Sequence, residues 1–279
     1  MNNNNDQTQQ PAIELTSEGG IAVLKMNRPK QRNPFTPEFS AEIEAHLNTI
    51  REDRDVRVLI LTGGDGVFSA GGDLKGMKER AEQLNAGTIE PQVFRERVYR
   101  LNVWVQALRN LEIPVIAAVN GPAYGGAFGL AMCADFVLCS ERAEFCAAFP
   151  RIGAIPDCGL MFTLPRMIGI QRSKEIMATG RTISADEAKQ LGLALEVYPV
   201  DRLMAEAQAM ARQLLQASSV AFGITKRVLN QAFELNAAST LEMEAAGQAI
   251  SFTTDYHKDS VQRFIDKRPL KFQWSNNQQ

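Results

Sequence analysis

Two stretches place glycine where an apolar run gives way to a helical pattern: "LTGGDGVFSAGGDLKGM" (61–77) and "VIAAVNGPAYGGAFGLAM" (115–132). Residues without a Cβ let main-chain N–H groups come close to a ligand. A helix start adds unpaired amides and a partial positive charge. Two such turns aimed at one point would hold a developing oxyanion, each donor contributing roughly 3–4 kcal/mol of transition-state stabilisation. The plainer alternative is a pair of tight strand-to-helix turns, where glycines are common. Neither turn is a nucleotide loop, because both G-x-x-x-x-G-K-[ST] and G-x-G-x-x-G spacing are missing. Tyr124, beside Gly125, either donates a hydrogen bond into a pocket or simply packs.

The elements that must position these turns follow from periodicity. "AIELTSEGGIAVLKMNRP" alternates apolar and polar residues around a Glu-Gly-Gly turn, which predicts a β-hairpin. Thr36 before Pro37 opens a helix whose Phe39, Ile43, Leu47 and Ile50 recur at helical spacing. "VRVLILTG" (56–63) reads as a strand buried on both faces, and 93–111 as a long amphipathic helix. The alternation then repeats, with "VIAAVNG" as strand, "PAYGG" as turn, "AFGLAMCAD" as helix, and "FVLCS" and "AEFCAAF" as strands. From about residue 170 the pattern is mostly helical. Alternating strands and helices followed by a helical tail predict an α/β core on a parallel sheet. The expected divisions are a disordered tail over 1–12, the α/β core over 13–199, and a helical region over 200–279 serving oligomerisation and ligand contact.

Composition narrows the function classes. The 279 residues are 45% hydrophobic and 22% charged, ordinary for a globular protein. Thirty basic against 32 acidic residues give a net charge of −2, which provides no general attraction to nucleic acid. The four cysteines (Cys133, Cys139, Cys146, Cys158) form no C-x-x-C pair, and only His46 and His257 could join them, so no metal site is expected. The same cysteine usage points to a reducing compartment. No apolar run has the length of a membrane span, and "MNNNNDQTQQP" lacks the features of a signal peptide, so a cytoplasmic location is expected. A serine hydrolase would need a histidine beside its nucleophile, yet both histidines fall in helical patterns.

With these readings in place, "FSAGGDLKGM" (68–77) and "NGPAYGGAFGLAMCAD" (120–135) resemble the two oxyanion segments of the crotonase family, the enoyl-CoA hydratases and isomerases. The resemblance continues through "MNRPKQRNPF", "FPRIGAIPDCGLMFTLPRMIG", "SADEAKQLGLALEVYP" and "FIDKRP", nearly everything after residue 12. It implies a crotonase-like (ClpP/crotonase) ββα superhelix core with an α-helical C-terminal part. It also implies an acyl-CoA substrate, no separate cofactor, and trimers or dimers of trimers. By position, the amides of Gly72 and Gly126 would hold the thioester oxygen. Lys30, Gln31 and Arg32, with Ala70, Gly71, Asp73 and Leu74, would line the CoA, while Tyr124 and Gly125 border the acyl site. Phe264 and Lys267 would sit near the adenine or phosphate end, reaching a neighbouring subunit. For Lys30 and Arg32 a solvated turn remains the alternative.

The chain departs from the family at two places. The two glutamates that hydratases use fall on Gly129 and Phe149. Adding water across a double bond requires a group that places and activates it. Asp157, in "IPDCG", occupies the loop where several isomerase branches carry a carboxylate, and an apolar setting of Ile152, Ile155, Phe149 and Met161 would raise its pKa. Asp157 could equally cap a helix starting near Gly159. Glu79, Glu82 and Glu96 read as residues of solvated helix faces. The first expectation is an enoyl-CoA isomerase. The alternatives are an enoyl-CoA hydratase and a degenerate acyl-CoA binder.

Overall fold

The structure, a computed structural model, describes residues 10–274. The expected tail lies largely outside the described residues. Ala12, placed in that tail, is buried, and its carbonyl accepts from Asn27 N at 2.7 Å. Strands β1 (Ile13–Glu18) and β2 (Ile21–Met26) form the expected antiparallel hairpin. Its turn falls at Gly19 and Gly20, both with positive φ. A short β3 (Pro34–Phe35) precedes α1 (Pro37–Glu52), where Thr36 accepts from Phe39 N as N-cap. Then come β4 (Val58–Gly63), β5 (Gly71–Gly72), α2 (Leu74–Asn85) and α3 (Gln92–Arg109).

The second half continues with β6 (Val115–Val119), β7 (Pro122–Tyr124), α4 (Gly126–Ala131), β8 (Phe136–Ser140) and β9 (Glu144–Cys146). After these lie α5 (Leu160–Ile168), α6 (Ile170–Thr179), β10 (Thr182–Ser184), α7 (Ala185–Gln190) and β11 (Glu196–Tyr198). Helices α8 (Leu203–Leu214), α9 (Ser219–Leu229), α10 (Ala237–Thr253) and α11 (Asp255–Ile265) end the described chain.

The main sheet runs β1-β2-β4-β6-β8-β11, parallel from β2 onward. After the β1–β2 hairpin, each step across it makes an excursion through short strands and helices. Those excursions build two smaller sheets, β10-β9-β7 and β3-β5. The result is a spiral whose turns stack side by side, the α/β architecture expected. Two local expectations are corrected. "PAY" is not a turn but strand β7, paired with β9, and the region after 170 contains β10 and β11. Three-residue strands carry too little alternation to stand out from their helical neighbours.

Alternate residues of the buried strands serve two cores. Leu24, Leu59, Leu61 and Ala117 face Phe39, Leu47, Trp104 and Leu108 of α1 and α3. Val58, Ile60, Ile116 and Ala118 face Leu203, Ala207, Ala211 and Leu214 of α8. Helix α8 therefore covers the sheet's second face, and the expected boundary after residue 199 divides elements that share one core. Beyond it, α9 is tied down by charge. Lys226 Nζ lies 2.7 Å from Asp135 Oδ2 and donates to Ile113 O, while the same carboxylate accepts from Val115 N. Burial pushes the Asp135 carboxyl up and the Lys226 amine down, and each is opposed by the other's charge.

Lys226→Met leaves the Asp135 carboxylate buried without its cation, an expected loss of about 3–5 kcal/mol. Adding Asp135→Asn to that variant should recover part of the loss. Urea unfolding midpoints of the two variants check both outcomes.

Candidate active site

The site begins with a strap, residues 28–33. Pro29–Gln31 form one 3₁₀ turn, and Arg32 and Asn33 follow with φ of 63° and 48°. Asn33 is the pin. Its amide donates to Val67 O at 3.0 Å and Phe68 O at 2.9 Å, and its Oδ1 accepts from Arg28 N at 2.7 Å. Ser69 completes the clamp, donating to Asn33 O at 2.6 Å and accepting from Gly71 N at 2.9 Å. Ala70 N donates to Arg32 O. Lys30, Gln31 and Arg32 are exposed along this strap, so their place beside Ala70–Leu74 is set by main-chain pairing.

The clamp presses the first glycine turn against the second. Ser69 bridges Ala123 in parallel, with Tyr124 N donating to Ser69 O and Ser69 N to Pro122 O, both at 3.0 Å. Gly71 has φ +77°, and a Cβ there would lie 2.3 Å from Tyr124 O and 2.9 Å from Gly126 N. Only glycine permits that approach. Gly72 pairs with Phe35 across β3-β5, and Met77 Cε packs 2.6 Å from where its Cβ would be. Gly125, at φ +57°, turns the chain into α4, and its own N–H goes to Cys146 O. Gly126 is the first residue of α4 and has no side-chain cap, leaving its amide among the unpaired N–H groups of a helix start. Asp73 caps α2 by accepting from Gly76 N at 3.1 Å, and Leu74 stands exposed beside it.

Asp157 comes to this same point. Its Oδ1 is 3.2 Å from the Cβ position of Gly126, with Cys158 Sγ at 2.9 Å and Phe35 Cε2 at 3.2 Å from that position. Helix α5 is capped by Gly159 with no side-chain bond, so Asp157 does not act as its cap. Oδ1 is buried and meets no hydrogen-bond partner among the described residues. Burial pushes its pKa up, against the pull of the Cys158 thiol and the Arg97 guanidinium. The expected apolar surroundings need correction: Ile152, Ile155 and Met161 are 53%, 75% and 52% exposed. Phe35, the α4 backbone and buried Cys158 enclose the acid instead. Phe149 is buried, its Cζ 3.9 Å from the Cβ position of Gly125.

The remaining assignments divide. The Tyr124 hydroxyl donates to Glu144. Phe264 and Lys267 stand exposed at the end of α11, outside this cluster. Glu79, Glu82 and Glu96 are exposed on their helices. Asn33, Ser69, Arg80 and Arg97 were not singled out from sequence. Arg97 follows the inward stripe of Leu101, Trp104 and Leu108 on α3, and its Nη2 donates to Phe35 O at 2.9 Å. That stripe was the signal for it. Among the described residues no group of three or more His, Cys, Asp or Glu could hold a metal, and no helix is long and apolar enough to cross a membrane.

Residues 16–277 match the enoyl-CoA hydratase/isomerase family model. A crotonyl-CoA hydratase of Syntrophomonas wolfei is 32% identical over 264 residues, 93% of this chain and 97% of that protein. A 1,2-epoxyphenylacetyl-CoA isomerase of Escherichia coli K12 is 33% identical over 256 residues, 91% and 95% of the two chains. An enoyl-CoA hydratase/isomerase structure from Cupriavidus metallidurans CH34 superposes with a TM-score of 0.89 at 34% identity, covering 96% of this chain and 98% of that one. The chain belongs to the enoyl-CoA hydratase/isomerase family, with its crotonase fold, and is an acyl-CoA enzyme.

A Cβ at Gly129 would fall 2.6 Å from Cys158 O and 2.9 Å from Cys158 Cβ. Gly→Ala inside a helix normally gains about 1 kcal/mol. Here the collision should reverse the sign, costing roughly 1–3 kcal/mol. The check is the urea midpoint of Gly129→Ala, which should fall.

Proposed function

We propose that this enzyme shifts a double bond within an enoyl-CoA. Asp157 acts as the proton carrier, and the amides of Gly72 and Gly126 hold the thioester oxygen. The observation carrying this reading is the buried, unpartnered Asp157 Oδ1 directly beside Gly126. Asp157 would take a proton from the α-carbon of a 3-enoyl-CoA, and the electron pair would spread into a dienolate whose oxygen accepts from the two amides. Returning the same proton to the γ-carbon would give the 2-enoyl-CoA. A raised pKa suits a carboxylate to this task, since it makes a stronger base. Phe149, buried at the second glutamate position, would help keep water from the dienolate.

The second reading is hydration, and the relatives' names favour it. The crotonyl-CoA hydratase and several similar proteins are named as hydratases, whereas one is named as an isomerase. Against it stand the residues at the two glutamate positions, Gly129 and Phe149. Neither can activate water, and the backbone of Cys158 leaves no room for a side chain at 129.

We further propose that the chain works as a trimer or a dimer of trimers. Helices α9–α11 and the turn between α9 and α10 leave Leu229, Phe233, Leu241, Ile250, Phe252 and Phe264 exposed, an apolar surface of the kind that subunit contacts cover.

Asp157→Asn should abolish migration of the double bond in a 3-enoyl-CoA while the acyl-CoA still binds. Normal turnover, or formation of 3-hydroxyacyl-CoA from a 2-enoyl-CoA at a comparable rate, would refute the isomerase reading. The raised pKa also sets a sign for stability. The Asp157 contribution is fully present below its unfolded pKa and is lost as pH rises through its folded pKa. At neutral pH Asp157→Asn, which keeps the uncharged form, should therefore melt no lower than the parent. Light scattering should give a mass three or six times the chain's 30.8 kDa.

A further inference from the structure

Helices α2 and α3 carry two guanidinium groups that the proposed proton transfer does not use. On α2, Arg80 follows Met77 by three residues and so shares its face. Met77 packs over Gly72, and Arg80 Nη1 reaches to 3.0 Å from the Cβ position of Gly76. Arg80 Nε and Nη2 are buried and have no acceptor among the described residues. Arg97, on the inward stripe of α3, is held by Phe35 O, and Phe35 is the residue paired with Gly72. Burial first, and then the charge of Arg80, hold the Arg97 guanidinium below its usual value, against the support of Asp73 and Asp157.

The unmet donors are those of Arg80, whose Nε and Nη2 meet no carboxylate among the described residues, whereas Arg97 already donates to Phe35 O. Asp73 spends Oδ1 on the N-cap of α2, and its Oδ2 lies 2.1 Å from the same Gly76 Cβ position that Arg80 Nη1 approaches, leaving Nε and Nη2 as the unmet donors. Buried guanidinium N–H groups are costly when unmet, and a planar fork of such donors matches a carboxylate. A simple alkyl chain would leave them unmet; a second carboxylate on the acyl group would satisfy them. Met77 to Arg80 is about one helical turn, ~5 Å along the axis, a spacing compatible with a short diacid.

We propose that Arg80 and Arg97 receive a carboxylate at the far end of the acyl group, so that the preferred substrates are CoA thioesters of short dicarboxylic acids. This rests on the acyl-CoA reading of the glycine turns and deepens it. It makes Arg80 and Arg97 specificity residues, distinct in role from Asp157.

The test is calorimetric titration of the full chain with matched saturated thioesters: succinyl- against butyryl-CoA, glutaryl- against pentanoyl-CoA, and adipyl- against hexanoyl-CoA. At one length or more the diacid should bind at least about tenfold tighter than its methyl-ended partner. Arg80→Met should bring that ratio close to one, while Arg80→Lys, which keeps the charge but loses the fork, should retain part of it. Melting curves establish that each variant is folded, and Arg97→Met supplies a second route if Arg80→Met is not. A ratio at or below one at every length overturns the proposal, as does a ratio that survives in a folded Met variant. Binding of the methyl-ended thioesters alone would leave the acyl-CoA reading standing while this inference fails. Binding of neither series would remove both.

Discussion

The site depends on one contact, the backbone-to-backbone approach of the two glycine turns. Gly71 lies against Tyr124 O and Gly126 N at distances no side chain tolerates. The Ser69–Ala123 bridge holds the two segments in register. Strands β4 and β6 are neighbours in the main sheet, so their chains leave the same edge side by side. The turns meet because the strands meet, and glycine lets them close the remaining gap. The clamp of Asn33 and Ser69 then fixes the approach from outside. It uses hydrogen bonds to main-chain groups of the first turn, so the strap and the turn hold one another.

That contact determines what can stand around it. Asp157 arrives from the loop before α5, where Cys158 adopts φ +49° and Gly159 φ +76°. These left-handed residues turn the loop back onto α4, bringing Cys158 O against Gly129 and Asp157 Oδ1 against Gly126. The acid is thus placed by the packing of one loop on one short helix. Its surroundings raise its pKa by burial, while the Cys158 thiol and the charge of Arg97 on α3 oppose that rise.

Much of this was legible in the residues. The hairpin, α1 with its Thr36 cap, β4 and α3 follow from periodicity and capping because each buries a continuous stripe or face. The two glycine turns were visible because glycine after a buried strand is a backbone signal, independent of tertiary context. Less legible were the features made by neighbours distant in the chain. The Asn33 clamp depends on carbonyls 34 and 35 residues away. Strands β10 and β11 are three residues each and form only on partners already in the sheet. The enclosure of Asp157 was misassigned to Ile152, Ile155 and Met161 because sequence proximity stood in for contact. The loop instead leaves those side chains exposed and sets the half-buried acid with its Oδ1 inward, against Phe35 and α4.

Loss of the two hydratase glutamates is often the mark of a catalyst that has decayed into a binder. The packing here argues for a different interpretation. A decayed position would leave slack where the glutamate stood, since interiors relax only partly when a side chain is removed. Gly129 has none: the Cys158 carbonyl fills the space that even a methyl group would need. Phe149 likewise is buried beside Gly125. Position 129 is closed by a neighbouring backbone and position 149 is filled by its own ring, and the loop that closes the first also sets Asp157 beside Gly126. The closed space at 129 and the position of the Asp157 carboxylate are thus two sides of a single packing choice. One backbone arrangement cannot hold a side chain at 129 and keep Asp157 where it stands.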